Sequence, residues 1–430
     1  MGLFSWLWGL ITGKSGGSGS PHGPGQTATP TGRSRVRLRR RRSTPRLTPR
    51  NSVATEPVRP PQAAVVSIRP YRFARRTPNL RNWFDFSGDV NLQRLGRFQL
   101  PPLATSDDVA RWLGITTGEL AWLSGRFWEP YAPATIQQAH YHFVWINKRR
   151  GGRRLIEIPK ARLRAVQDRI LRQILDRIPA HSAAHGFVTG RSNRSNAEPH
   201  VEKNVLLKLD LRNFYPSVSF SRVVAIFRSL GFSREAAGWF GRLTTTTTPK
   251  SALTPGTEAD QRNFFRRHLP QGAPTSPALA NLSAFVLDLR LSGLARSFHA
   301  NYTRYADDIT FSGDERFRRS IAVFLPLVRQ IISQERFQIH PGKLRVERRS
   351  QRQSVTGVVV NSRTNIRRDV YDRLKAILTN CVRFGPSSQN RDGRPEFASH
   401  LRGRIAHVQS LNVVRGEKLL EIYSRIDWSR

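Results

Sequence analysis

Cysteine is almost absent from this chain: Cys381 stands alone among 430 residues. That excludes a disulfide framework and any Cys-based zinc site, and it fits a reducing, cytoplasmic setting. Acidic residues are scarce as well, 30 against 71 Lys and Arg, for a formal net charge of +41. Ten of the basic residues and none of the acidic ones fall in residues 1–55, so the rest of the chain is still strongly basic. Such a body repels itself unless its surroundings are polyanionic. Nucleic acid is therefore the first partner to expect, although a membrane surface or a ribosome would satisfy the same charge. Long apolar runs are missing too. The N-terminal MGLFSWLWGLITG is too short to span a bilayer and lacks the basic flank and cleavage site of a signal peptide. No internal repeat stands out.

What is present begins with enough apolar residues, 38%, for two or three packed subdomains. Residues 1–75 are expected to stand apart from them as a disordered extension. Ser15–Thr31 is linker-like, and nine arginines lie between Arg33 and Arg50, a composition that cannot bury a core. The extension reads either as a solvated tail or as an RNA-phosphate clamp whose apolar tip docks on a partner or a membrane. From about residue 100 the patterning is regular. TSDDVARWLGITTGELAWLSG predicts one or two capped helices, HYHFVWINKRRGGRRLIEIPK a β-hairpin with a basic tip, and ARLRAVQDRILRQILDRI an amphipathic helix. NVLLKLDLRNFYPSV (204–218) predicts a buried strand running into a turn, and SVTGVVVN (354–361) another strand. Helices are expected over SFSRVVAIFRSLG, over TSPALANLSAFVLDLRLSGLARSF, near 315–335 and through most of the basic C-terminus.

Two places break the expected pattern with carboxylates. RYADDITF (304–311) sets Asp307 and Asp308 side by side within a predicted hairpin, although Asp is depleted in strands. The pair reads either as a solvated turn or as ligands of a divalent cation, which one or two carboxylates and substrate phosphates can hold. The second place is Asp210, flanked by apolar residues where a buried strand should not carry an uncompensated charge. Either Lys208 balances it, or Asp210 lies beside Asp307 and Asp308 in an antiparallel sheet and the three share metal.

Taken together and in order, these segments resemble the palm of the reverse transcriptases. Asp210 with Phe214 and Tyr215 matches that family's first motif, LPQGAPTSPALANL (269–282) its second, YADD its third, and RRLIEIPK (153–160) its fingers hairpin. HPGKL (340–344) departs from the usual Asn-Pro-Lys of the fourth motif, which makes Lys343 the weaker match. NAEPH (196–200), VTG (355–357) and AHGFVTGRS (184–192) are similar to elements that mark the retron reverse transcriptases. The resemblance covers about residues 105–430.

It implies an α+β right-hand polymerase: N-terminal helices and fingers over 76–203, palm over 204–361, helical RNA-binding thumb over 362–430. It also implies two Mg²⁺ ions on Asp210 and Asp307 with Asp308 supporting, and Lys343 as the acid that protonates pyrophosphate. Arg153 or Arg154 would bind the dNTP triphosphate, Tyr215 would exclude a 2′-OH, and Gln271 and Gly272 would let backbone approach nucleotide and template. TSP after them equally marks a helix start. A metal or acid–base role for Asn196 and His200 has no supporting ligand pattern. The resemblance implies instead that these two, with Val355, Thr356 and Gly357, contact RNA. The implied activity is RNA-directed synthesis of a short DNA on a cognate structured non-coding RNA, primed from a guanosine 2′-OH, in anti-phage defence with an effector protein. Two rivals are another bacterial reverse transcriptase, of the abortive-infection or diversity-generating type, and a non-catalytic RNA-binding scaffold. Oligomeric state leaves no signature in the sequence.

Overall fold

A computed structural model describes residues 75–76, 83–84, 87–125, 136–148, 152–253 and 264–429. The chain divides into two units, Met1–Arg59 and Pro60–Arg430, and every described residue belongs to the second. The expected extension, residues 1–75, lies outside the described residues except for Arg75, as does the tip of the basic hairpin at 149–151.

Two short strands, β1 (Arg75–Arg76) and β2 (Trp83–Phe84), pair ahead of helices α1 (Leu92–Arg97), α2 (Ser106–Leu113) and α3 (Thr117–Leu123). Each helix starts where a polar side chain, from Asn91, Thr105 or Thr116, accepts a backbone N–H of the first turn; Thr105 and Asp108 close a full capping box. The hairpin of β3 (Tyr141–Asn147) and β4 (Arg153–Pro159) follows, then α4 (Ala161–Gln173) and the short α5 (Asn193–Ala197). Strand β5 (Val205–Asp210) is buried throughout except at Lys208, as its continuous apolar run requires. After it come α6 (Phe220–Leu230), α7 (Arg234–Thr244), α8 (Ser276–Ser283) and α9 (Phe285–Ser297). Strands β6 (Asn301–Tyr305) and β7 (Asp308–Gly313) lead into α10 (Glu315–Gln334), and β8 (Arg345–Arg348) completes an antiparallel sheet of order β6-β7-β5-β8. No single helix among the described residues is long and apolar enough to cross a membrane.

SVTGVVVN is not one strand. It folds back as a hairpin of β9 (Ser354–Val355) and β10 (Val358–Val359), with Thr356 at φ 46° and Gly357 at φ 86° between them. Two successive left-handed residues make the tight turn whose twist suits a two-residue hairpin, and Gly meets the second at no steric cost. The hairpin's Val355 and Val358, with Val360, pack against α11 (Arg368–Phe384), α12 (Phe397–Leu411) and α13 (Val413–Ser424) in a core of their own. The boundary expected at 361/362 therefore runs through a shared core. The larger core joins the four-stranded sheet to α1–α4 and α6–α10.

Candidate active site

Sheet register brings the isolated carboxylates together. β5 pairs with β7 so that Asp210 lies opposite Asp308, and the Leu211 N–H donates to the Asp307 carbonyl at 2.9 Å. β6 and β7 are joined by Ala306 and Asp307 alone, since Tyr305 pairs with Asp308. Ala306 holds φ 55°, a left-handed value that normally favours glycine at the first position of a two-residue hairpin turn. ADD is thus a turn, and it also faces the end of β5. Lys208 does not compensate Asp210; it pairs with Glu347 of β8 at 2.9 Å. The cation on Asp210 is the Lys343 ammonium, 2.5 Å from Oδ2, and the His340 N–H fixes the Asp210 carbonyl at 2.7 Å.

The electrostatics follow from this crowding. Burial, then Asp210, raises the Asp307 carboxyl, with Lys343 and Arg154 pulling the other way. The protein packed around Asp308, followed by Asp307 and Asp210, pushes it up to about 7. Asp308 still opens to solvent, so the neighbouring carboxylates are the part of that shift a cation would relieve. No group of three or more His, Cys, Asp or Glu among the described residues is clustered as a ready-made metal cage. Carboxylates that repel one another at a solvent-open edge nevertheless fit a hard cation that completes its shell with phosphate and water.

Around the carboxylates the expected nucleotide residues separate. Arg154 is near enough to Asp307 and Tyr215 to affect both. Strand alternation puts Arg153 on the opposite face of β4, exposed. Tyr215 is half-buried with its ring 5.5 Å from that of Phe214, while Phe214 is core. Burial first, then Asp307, raises the Tyr215 hydroxyl. Gln271 and Gly272 meet β4 rather than an open cleft: the Gln271 carbonyl accepts the Glu157 N–H at 3.0 Å. A Cβ on Gly272, at φ 142°, would lie 2.7 Å from the Glu157 carbonyl oxygen. The missing side chain is what lets this loop approach the protein's own hairpin. Below them Glu157, fully buried, accepts from Thr248 at 2.6 Å and contacts His268 at 3.0 Å. Gly272→Ala is expected to strain the backbone by about 1–3 kcal/mol and push the hairpin away; a raised KM for nucleotide with a lowered melting temperature checks it.

Asn196 and His200, expected to contact RNA, are instead buried. The His200 ring spans Ser312 at 2.6 Å and Thr303 at 2.7 Å, on β7 and β6. The Asn196 amide donates to Thr356 Oγ1 at 3.4 Å, so NAEPH and VTG bond directly to each other where α5 meets the β9–β10 hairpin. The physical reason is local: α5 and the turn after it lie directly on β6, and Val355 is buried too, leaving Thr356 half-buried and Gly357 exposed. Burial, with smaller contributions from His185 and Lys203, pushes His200 down to about 3. Its folded value lies below the unfolded one, so its contribution is complete above pH ~6.5 and is lost as pH falls toward 3. Melting temperature should therefore drop between pH 7 and pH 5, and His200→Gln should remove part of that drop.

A buried brace behind the turn was not foreseen. Arg304 and Asp288 are both fully buried and bonded twice, at 2.6 and 2.7 Å. Arg304 also donates to Asn281 Oδ1 and to the Ala306 carbonyl, each at 3.0 Å, and Tyr302 donates to Asp288 at 2.7 Å. Burial opposes the charge on Arg304, yet Asp288 outweighs it and holds the guanidinium above its usual value. The signal was available: Asp288 sits amid leucines in VLDLRL, the same anomaly that marks Asp210.

Residues 146–360 match the family model described as reverse transcriptase (RNA-dependent DNA polymerase). The chain is 38% identical to the Retron Mx65 reverse transcriptase of Myxococcus xanthus, over 80% of this chain and 76% of that protein. It is 36% identical to the Retron Mx162 reverse transcriptase of the same organism, over 75% and 67%. To the Retron Ec86 reverse transcriptase of Escherichia coli it is 30% identical, over 64% and 77%.

Proposed function

This chain belongs to the retron reverse transcriptases and is an RNA-directed DNA polymerase; on that premise we propose that it copies one cognate structured non-coding RNA into a short single-stranded DNA. Synthesis starts from the 2′-OH of an internal guanosine, so the product is a branched RNA–DNA molecule, and it serves anti-phage defence together with an effector protein. The observation that supports this reading best is the convergence of Asp210, Asp307 and Asp308 at one end of the β5–β7 pair, with Lys343 and Arg154 close by.

Reverse transcriptases generally use divalent metal ions, and here Asp210 and Asp307, supported by Asp308, would hold two Mg²⁺. When bound, these ions stabilise the attacking and leaving oxygens of an in-line displacement at the α-phosphate. The chain's own residues do the rest. Arg154 clamps the triphosphate of the dNTP with its planar fork. Tyr215 packs under the sugar and leaves no room for a 2′-OH. The Gln271–Gly272 loop, held on β4, sets the height of that pocket. Lys343 leaves Asp210 as nucleotide enters and donates its proton to the departing pyrophosphate. The exposed Thr356–Gly357 turn and the basic C-terminal helices grip the structured RNA through phosphate, shape and 2′-OH contacts.

The test is to express the gene with its native flanking DNA and analyse the nucleic acid that copurifies. The expected result is a discrete short DNA that shortens with RNase and needs a debranching enzyme to free its 5′ end. Heterogeneous cellular RNA without DNA would overturn the proposal.

A further inference from the structure

AHGFVTGRS serves a purpose beyond the resemblance it carries. Residues 183–186 are stitched along β6, the edge strand of the sheet. The Arg304 N–H donates to the Ala183 carbonyl at 2.8 Å, and the His185 N–H to the Arg304 carbonyl at 2.7 Å. Asn281 donates to the Gly186 carbonyl at 2.9 Å. A Cβ on Gly186 would lie 2.6 Å from the Ala306 nitrogen, so this segment and the Asp307-bearing turn touch backbone to backbone. Arg191 ties the far side of the loop back to the carbonyls of His181, Ser182 and Ala184.

The next residue on this rigid ledge is Phe187, and two unfavourable features coincide there. Its backbone is left-handed, at φ 59°, which strains any residue with a side chain. Its ring is also 50% exposed, although a large apolar side chain gains by leaving water. Among the described residues the ring's aromatic neighbour is Tyr305, at 6.2 Å and tilted 44°. Tyr305 is half-buried, pairs with Asp308 across the hairpin, and lies near enough to Tyr215 to affect its hydroxyl. Phe187 and Tyr305 therefore form an aromatic ledge beside the three carboxylates, on a rim that Asn281, Gly186 and Arg304 hold fixed.

We infer that Phe187 is a nucleic-acid contact: its ring packs against the last base pairs of the RNA–DNA hybrid and seats the primer end over Asp210 and Asp307. This inference rests on the proposed polymerase site. The occupant follows from position and chemistry. The ring follows Gly186, whose backbone touches the Asp307-bearing turn, and it stands beside Tyr305, the cross-strand partner of Asp308. An aromatic face takes any base or sugar edge without reading sequence, as an enzyme that advances along its template requires.

The experiment uses the full chain and a fluorescent RNA–DNA hybrid of arbitrary sequence with a recessed 3′ end. It measures hybrid affinity, nucleotides added per binding event, KM for dNTP, and melting temperature. Phe187→Ala should weaken hybrid binding about tenfold and shorten each run of synthesis, with the dNTP KM unchanged. Phe187→Trp should stay near wild type. Phe187→Gly separates contact from structure, because glycine relieves the left-handed strain. It should melt no lower than wild type and yet bind the hybrid as poorly as Phe187→Ala. Wild-type binding with equal affinity in all three variants would overturn this inference alone. A wild-type protein that neither binds nor extends the hybrid would overturn the polymerase site and this contact together.

Discussion

Asp210→Asn should lower nucleotide incorporation about a thousandfold, the size expected when several kcal/mol of transition-state charge stabilisation is withdrawn. Asp307→Asn should match it and Asp308→Asn should cost less, because Asp308 opens toward solvent. Primer extension by single nucleotides reads all three. A protein with both Asp307→Ala and Asp308→Ala that still copies RNA would sink the assignment of the site.

The same substitutions should not unfold the metal-free protein, and the pH dependence says why. Asp308 is an acid whose folded value, about 7, lies above its ordinary one. Its neutral form is therefore favoured by folding: the contribution is present at low pH and fades as pH rises through 7. Without metal the fold should lose stability between about pH 4 and pH 7 from this cluster and level off above that. Added Mg²⁺ should raise the melting temperature more at pH 8 than at pH 6, and Asp308→Asn should shrink that difference. An equal Mg²⁺ effect at both pH values, in wild type and variant, would mean the carboxylates are not the cation site.

The second large effect is at Arg304. Arg304→Ala should cost about 3–5 kcal/mol in urea unfolding, because it strands a buried carboxylate. Arg304→Met combined with Asp288→Leu leaves no unpaired buried charge and should recover most of that loss. Activity should stay low in the double variant, since the Ala306 carbonyl has still lost its donor from Arg304 and the Asp307-bearing turn is no longer held from behind. A single variant within 1 kcal/mol of wild type would show that the brace carries no stability.

The chemistry of the site was legible because it violates local rules. Asp210 in an apolar strand and Asp307–Asp308 in a predicted hairpin are expensive placements, and such expense marks function without any three-dimensional information. Helix starts were legible for the opposite reason: Thr105 with Asp108, or Thr116, satisfies backbone groups within four residues. The strand SVTGVVVN misled because a Thr-Gly pair within a β-branched run is read by propensity as strand, whereas the turn depends on two backbone angles.

Long-range pairing was beyond the sequence. Whether Arg153 or Arg154 faces the carboxylates depends on which face of β4 meets the Gln271–Gly272 loop, a contact across more than a hundred residues. For Asn196 and His200 the resemblance implied RNA contact, and only the packing of α5 on β6 shows them buried. Asp288 amid leucines signals a buried charge, but only the tertiary structure shows that Arg304, sixteen residues on, is its partner. By itself, then, the sequence carried the family, through the motifs it shares with the reverse transcriptases, together with the three misplaced carboxylates and most local elements, because each is written within a short stretch of chain. Only the tertiary structure decided which polar groups are buried, which face of each strand meets the site, and what holds the turn. Burial and pairing arise from contacts between segments far apart in the chain, and no local pattern encodes them.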